Sequence, residues 1–160
     1  MTQLLLASPV GPLIAEYDTV GVRALRAWPQ GKHPPAGVRD AAARDDRLGA
    51  DLQQQLREYF AGERQGFDLP LLPEGTPFQQ QVWQALARIP FGETRSYIQV
   101  ACEVERPGGA IAVGQANARN PLLLVVPCHR VLASGNKLGG YGPGVEVKRW
   151  LLRHEGVAGW

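Results

Sequence analysis

The chain has 160 residues, 44% hydrophobic and 20% charged, with a formal net charge of +2. That length suits one domain or two small ones, and the composition excludes a disordered, fibrous or disulfide-stapled chain. No apolar run is long enough to span a bilayer, and residues 1–6 lack the basic region and long apolar core of a secretion signal, so a soluble cytoplasmic protein is expected.

Residues 4–7, 13–17 and 20–28 read as antiparallel strands, separated by Ser8-Pro9-Val10-Gly11-Pro12 and Asp18-Thr19, both of them turn chemistry. Residues 29–37 hold three prolines and read as a loop, with His33 a solvated loop histidine. From residue 45 to 60 the period changes to that of a helix. Leu48, Leu52, Leu56 and Tyr59 share one face, Asp45 or Asp46 can cap the start, and Gly62 can end it. Residues 67–72 read as a further strand and Pro73-Glu74-Gly75 as a linker, which gives a small α/β domain over 1–75 and a second domain over 76–160.

The second domain opens on Thr76-Pro77-Phe78-Gln79, a capping box with proline at the first helical position. Phe78, Val82, Trp83 and Leu86 supply that helix's buried face. Ser96 can cap a short helix over 97–103, Arg106-Pro107-Gly108 turns the chain, and 109–119 form the next helix. Two short helices joined in this way suit a helix-turn-helix. Cys102 is expected to pack on the apolar side of the first. The second, Gly109-Ala110-Ile111-Ala112-Val113-Gly114-Gln115-Ala116-Asn117-Ala118-Arg119, is built of small residues. Either it packs tightly on the core, or it lets a ligand backbone come close, with Val113 inward and Ala110, Gly114 and Asn117 facing the ligand.

An apolar run, Leu122-Leu123-Leu124-Val125-Val126, reads as a buried strand that Pro127 ends. Pro127-Cys128-His129-Arg130 follows. A buried cysteine often only fills space. Neighbours on an extended chain point to opposite faces, so for Cys128 and His129 to cooperate the chain must turn here or a water must bridge them. After a polar turn come Gly139-Gly140-Tyr141-Gly142 and a terminal helix closing on His154-Glu155-Gly156.

Asn120-Pro121, the Pro-Cys-His-Arg motif and His-Glu-Gly together resemble the active-site half of the O6-alkylguanine-DNA alkyltransferases, also called methylated-DNA–protein-cysteine methyltransferases, over residues 76–156. The resemblance implies a ribonuclease-H-like α/β N-terminal domain and a mainly α, winged-helix-like C-terminal domain with a helix-turn-helix. It implies DNA repair: irreversible transfer of an alkyl group from O6 of a flipped alkylguanine, with O4-alkylthymine a second candidate, to Cys128. It gives His129 the role of base through a water, Glu155 that of its orienting partner, and Tyr141 that of donor to the purine. Asn120 holds the active-site turn, Lys148 supports the pocket or leaving group, and Arg130 makes structural bonds only. Tyr97, Ala110, Ile111, Gly114, Asn117, Arg119 and Val131 are implied substrate or DNA contacts, with double-stranded DNA held through its minor groove.

Charge agrees in sign with such a partner: residues 1–75 carry 8 Lys/Arg against 10 Asp/Glu, residues 76–160 carry 9 against 5. One position departs from the family, which usually has an arginine where Ile111 stands. No cofactor is implied. Some relatives hold zinc through N-terminal Cys and His, but the two cysteines here are Cys102 and Cys128, so no metal is expected. A monomer without a regulatory domain is expected. The rival readings are a lesion-binding DNA module without repair and a thiol-dependent acyl or peptide enzyme.

Overall fold

The computed structural model describes residues 1–40 and 46–160. It divides into two compact units, Met1–Glu74 and Gly75–Trp160.

Among its described residues the first unit has a four-stranded mixed sheet and one helix. Strands β1 (Thr2–Leu6), β2 (Leu13–Tyr17), β3 (Val22–Ala27) and β4 (Arg39–Asp40) lie in the order β3-β2-β1-β4. β1 and β2 pair antiparallel with Leu4 opposite Ala15, and β2 and β3 with Ala15 opposite Leu25, broken by an irregularity at Glu16 and Tyr17. The short β4 runs parallel to β1, a pairing not expected from the sequence. Helix α1 (Arg47–Phe60) starts where the Asp46 side chain accepts from the Gly49 amide. The alternative cap, Asp45, lies outside the described residues. Leu52, Leu56 and Tyr59 are buried along one face, together with Leu4, Val22 and Leu25 from the sheet.

The strand expected over 67–72 does not form. Leu71 makes a single bridge to Val22. The buried Gln55 side chain instead takes both polar groups of Asp68, accepting from its amide at 2.8 Å and donating to its carbonyl at 2.9 Å. A side-chain amide has the same donor and acceptor as a peptide group, so it replaces a ladder partner here.

The second unit holds four helices and a two-stranded parallel ribbon. Helix α2 (Pro77–Ala87) has the full capping box of Thr76 and Gln79. Strand β5 (Arg95–Ser96) leads into α3 (Tyr97–Glu103), which carries a second capping box, Ser96 with Gln99. Residues 104–109 turn the chain into α4 (Ala110–Ala118). The buried Trp83 indole donates to Ala116 O at 2.9 Å and ties α2 to α4. Strand β6 (Val131–Leu132) pairs with β5, Arg95 opposite Val131. Helix α5 (Val145–His154) closes the unit, with Lys148, Leu151 and Leu152 buried.

Two expectations fail here. Cys102 is exposed, because the buried face of the seven-residue α3 is met by Val100 and Ala101. Residues 122–126 are a compact turn. Leu124 adopts φ +69° and Val125 N bonds Leu123 O at 2.8 Å, a γ-turn of the strained left-handed kind. Val126 N then bonds Leu122 O at 3.0 Å. Among the described residues no helix is long and apolar enough to cross a membrane.

Candidate active site

Everything at the site depends on how the chain turns before Cys128. Pro127 has φ −81° and ψ 66°, and Cys128 N bonds Val126 O at 2.8 Å, so a second γ-turn follows the first. Asn120 fastens both. Its Oδ1 accepts from Leu122 N at 3.0 Å, and its Nδ2 donates to Val126 O at 2.8 Å and more weakly to Leu122 O at 3.3 Å. Cys128–Arg130 then coil as one turn of 3-10 helix, all three buried. The three side chains therefore fan out around an axis, which removes the opposite-faces problem of an extended strand.

Cys128 is 3% exposed and lines a pocket of about 260 Å3. Tyr97, Gly114, Asn117 and Asn120 form other parts of that wall, and Gly140, Tyr141, Gly142 and Pro143 come from the glycine-rich loop. Burial pushes the Cys128 thiol up from its ordinary value. A hydrogen bond from Asn120, the charge of Lys148 and the backbone amides of Cys128 and His129 pull the other way without overcoming it. That direction favours the thiol over the thiolate at rest. Its proton must be removed during any reaction.

His129 is fully buried and its Nε2 lies 2.7 Å from Glu155 Oε2. Burial pushes the imidazole down from its ordinary value. Glu155 opposes this, while Arg130 and Lys148 reinforce it. For Glu155, burial alone would raise the carboxyl, but the bonds from His129 and Arg130 outweigh it and hold the group ionised, far below the usual carboxylate range. With Nε2 donating to an ionised carboxylate, the neutral ring has its lone pair on Nδ1. That atom is buried with no protein partner. A thiol, and a neutral base with a free acceptor, thus stand on one turn of helix.

Lys148 is completely buried and donates to three carbonyls, Val131 O at 2.6 Å, Gly140 O at 3.3 Å and Leu138 O. Burial lowers its ammonium to about 8. It anchors the loop that carries Tyr141 over the pocket. The Tyr97 phenol is pushed up, by burial first and then by Cys128, so it stays a hydrogen-bond donor across neutral pH.

In a Cys102→Ser background, iodoacetamide labelling of Cys128 should be slow at neutral pH and should rise with a midpoint above the 9.0 of an ordinary thiol. The sign follows from burial: a raised pKa means less thiolate at any given pH. Mass spectrometry of the labelled peptide reads it, and a labelling plateau already reached at neutral pH would mean a resting thiolate.

Comparison with known proteins gives one answer. The family model for the DNA-binding domain of 6-O-methylguanine DNA methyltransferase matches residues 77–157. A methylated-DNA–protein-cysteine methyltransferase of Methanosarcina acetivorans is 41% identical over 98% of this chain and 99% of its own length. The constitutive enzyme of Bacillus subtilis is 56% identical over 68% of this chain and 67% of its own. The crystal structure of Mycobacterium tuberculosis OGT in complex with DNA superposes with a TM-score of 0.85 at 41% identity, covering 97% of this chain and 92% of that one.

This chain belongs to the methylated-DNA–protein-cysteine methyltransferase family. Its fold is the OGT fold, a small sheet and helices followed by the helical unit. Of the candidate residues of this methyltransferase, Cys128, Tyr141, Tyr97, Gly114, Asn117 and Asn120 share the pocket, while His129, Glu155 and Lys148 are buried outside its lining. Asn117 is buried on the pocket wall, and its amide donates to Cys128 O at 3.4 Å. Four candidates stand apart from the pocket wall. Val131 is buried and gives its carbonyl to Lys148. Ala110 is half-exposed near the start of α4, Ile111 is 81% exposed, and Arg119 is exposed at its far end beside Thr76 and Gln79. The sequence reading missed the reach of Arg130. Its guanidinium bonds Glu155, the partner of His129. A charged residue next to the histidine, in a segment otherwise apolar, was the available signal.

Proposed function

We propose that this protein repairs DNA by taking the alkyl group from O6 of an alkylguanine onto Cys128, once per molecule. The observation that carries the reading is the Cys128–His129 turn, with a buried thiol on the pocket wall and a neutral imidazole fixed by an ionised Glu155.

The proton balance is simple. The Cys128 proton passes to His129 Nδ1, directly or through a water. The sulfur attacks the alkyl carbon, an S–C bond forms and the C–O6 bond breaks. The electron pair leaves with the guanine oxygen, and a donor at the ring stabilises that charge. Tyr141 serves as this donor, and the Tyr97 phenol stands on the same pocket wall. The imidazolium formed is balanced by Glu155, in the manner of a hydrolase triad. The product is a thioether, which nothing in this site can cleave, so no cofactor is called for.

Reaching a base buried in a duplex requires extruding it. The turn of α3 and α4 is read as a helix-turn-helix that presents α4 to the minor groove, where a narrow channel suits small side chains. The exposure of Ile111 and the small residues of α4 support this. Arg119, exposed at the end of α4, is a phosphate contact. The sheet order β3-β2-β1-β4, with β4 parallel to β1, supports a ribonuclease-H-like first domain. The protein is read as a cytoplasmic monomer.

Ile111 can act as an apolar wedge but cannot donate a hydrogen bond to an orphaned base. Ile111→Arg should therefore raise the rate on duplex by about tenfold, the worth of one charge-assisted hydrogen bond, and leave single-strand repair nearly unchanged. Single-turnover rates on matched duplex and single-stranded substrates check this, and a duplex rate that does not rise rejects it.

The reading as a whole is tested by intact mass after incubation with O6-methylguanine DNA, duplex and single-stranded. One added methyl, mapped to Cys128, is expected. No gain in mass while DNA is still bound would favour a lesion-binding module instead.

A further inference from the structure

Arg130 is buried although it carries a full charge, and two of its three hydrogen bonds go to one carboxylate. Its Nε donates to Glu155 Oε1 at 2.7 Å and its Nη2 to Glu155 Oε2 at 3.0 Å. Its Nη1 donates to Ile89 O at 2.7 Å, and the Phe91 ring lies 5.8 Å from the guanidinium carbon. The fork sets the plane of the carboxylate, as bidentate pairs do. His129 Nε2 shares Oε2 with that fork, at 2.7 Å.

The charge matters as much as the geometry. A lone buried carboxylate facing an imidazole draws a proton onto the ring, because the ion pair then relieves the buried charge. A ring so protonated carries hydrogen on both nitrogens and can accept nothing. A carboxylate already matched by a guanidinium has no such need, and a second cation beside Arg130 is opposed. The groups facing this pair are Glu155 from the end of α5, Arg130 from the same turn, Lys148 from α5 and Cys128. Lys148 adds to the opposition. The direction found for His129 agrees: burial first, then Arg130 and Lys148, hold it neutral against Glu155.

We propose that Arg130 is a positioning residue for the alkyl transfer: by forking onto Glu155 it fixes His129 as the neutral Nε2–H tautomer and keeps Nδ1 open to the Cys128 proton. This goes beyond a structural role and rests on the reading of His129 as the base. It predicts a change in pH dependence that loss of packing alone does not produce.

The test uses the full-length chain. Nitrogen NMR of the His129 ring is followed between about pH 5 and 8, the range in which histidine ordinarily titrates, in a Cys128→Ser background. With Arg130 present the ring should remain in the neutral Nε2–H form across most of that range. In Arg130→Met it should be doubly protonated at neutral pH, with Arg130→Lys between the two. In the Cys128-containing proteins, the acid limb of the single-turnover rate should move up by about one pH unit or more in Arg130→Met, with the rate recovering to within about fivefold of the parent at alkaline pH. A doubly protonated His129 in the parent at neutral pH overturns the proposal. So does an unchanged His129 titration in the variants, or a rate loss equal at every pH. Should Arg130→Met fail to fold, the parent titration and Arg130→Lys still decide. Absence of alkyl transfer in the parent would count against the repair reading alone, because the ring titration needs no turnover.

Discussion

Cys128→Ala should take up no methyl from O6-methylguanine DNA, where the parent gains one per molecule. The site offers no second thiol: the remaining pocket wall is phenol, amide, glycine, alanine, leucine and proline. Cys102 is exposed and on α3, so Cys102→Ser should keep full uptake. Cys128→Ser should also be inert, since a neutral hydroxyl is a far weaker nucleophile than sulfur. The fold should survive, because removing one buried sulfur costs about 1 kcal/mol. Intact mass reads the uptake and thermal unfolding reads the fold. Methyl on Cys128→Ala at any position would remove the central premise.

Glu155→Ala should be the most damaging substitution to stability. Two buried donors, the His129 imidazole and the Arg130 fork, converge on this carboxylate. Removing it leaves a buried cation unpaired, a change that costs about 3–5 kcal/mol. Against a total of roughly 5–15 kcal/mol for a domain, that lowers the midpoint of thermal unfolding on the order of 20 °C. Alkyl uptake should fall with it, because His129 loses its orienting partner.

The same cluster sets the acid response. The folded-state carboxyl of Glu155 is depressed from 4.5 and the imidazole of His129 from 6.5. In both cases the unfolded chain binds more protons than the folded one as pH falls. Stability should therefore decline from pH 6.5 downward, first through His129 and below 4.5 through Glu155 as well. The slope approaches about 1.4 kcal/mol per pH unit for each proton involved. In Glu155→Ala the steep part below 4.5 should flatten, which unfolding curves at a series of pH values would show.

What could be read from the sequence was mostly local. The Thr76 and Gln79 capping box, the Asp46 cap and the three antiparallel strands are set by neighbours a few residues apart, and all formed. The failures share a cause: a distant or side-chain partner replaced the expected backbone pairing. Residues 122–126 have strand composition, yet Asn120 captures their polar groups and bends them into a turn. Residues 67–72 lose their ladder to Gln55, twelve or more positions away. The pairing of β4 with β1 is long-range and two residues long, so no periodicity announces it. Cys102 was misread because α3 is too short for its apolar face to be fixed by pattern. At the site, the motif residues were visible, but the Arg130 fork depends on where α5 ends in space.

The lysine behind the tyrosine loop illustrates how a single valence can shape a cavity. An ammonium owns three hydrogens, and Lys148 delivers them to carbonyls at positions 131, 138 and 140. Subtract one hydrogen, by N-methylation or by raising the pH past about 8, and one of those oxygens faces hydrocarbon without a donor. The loop that carries Tyr141 is thus tied by three bonds or by fewer according to the protonation of a residue outside the pocket lining.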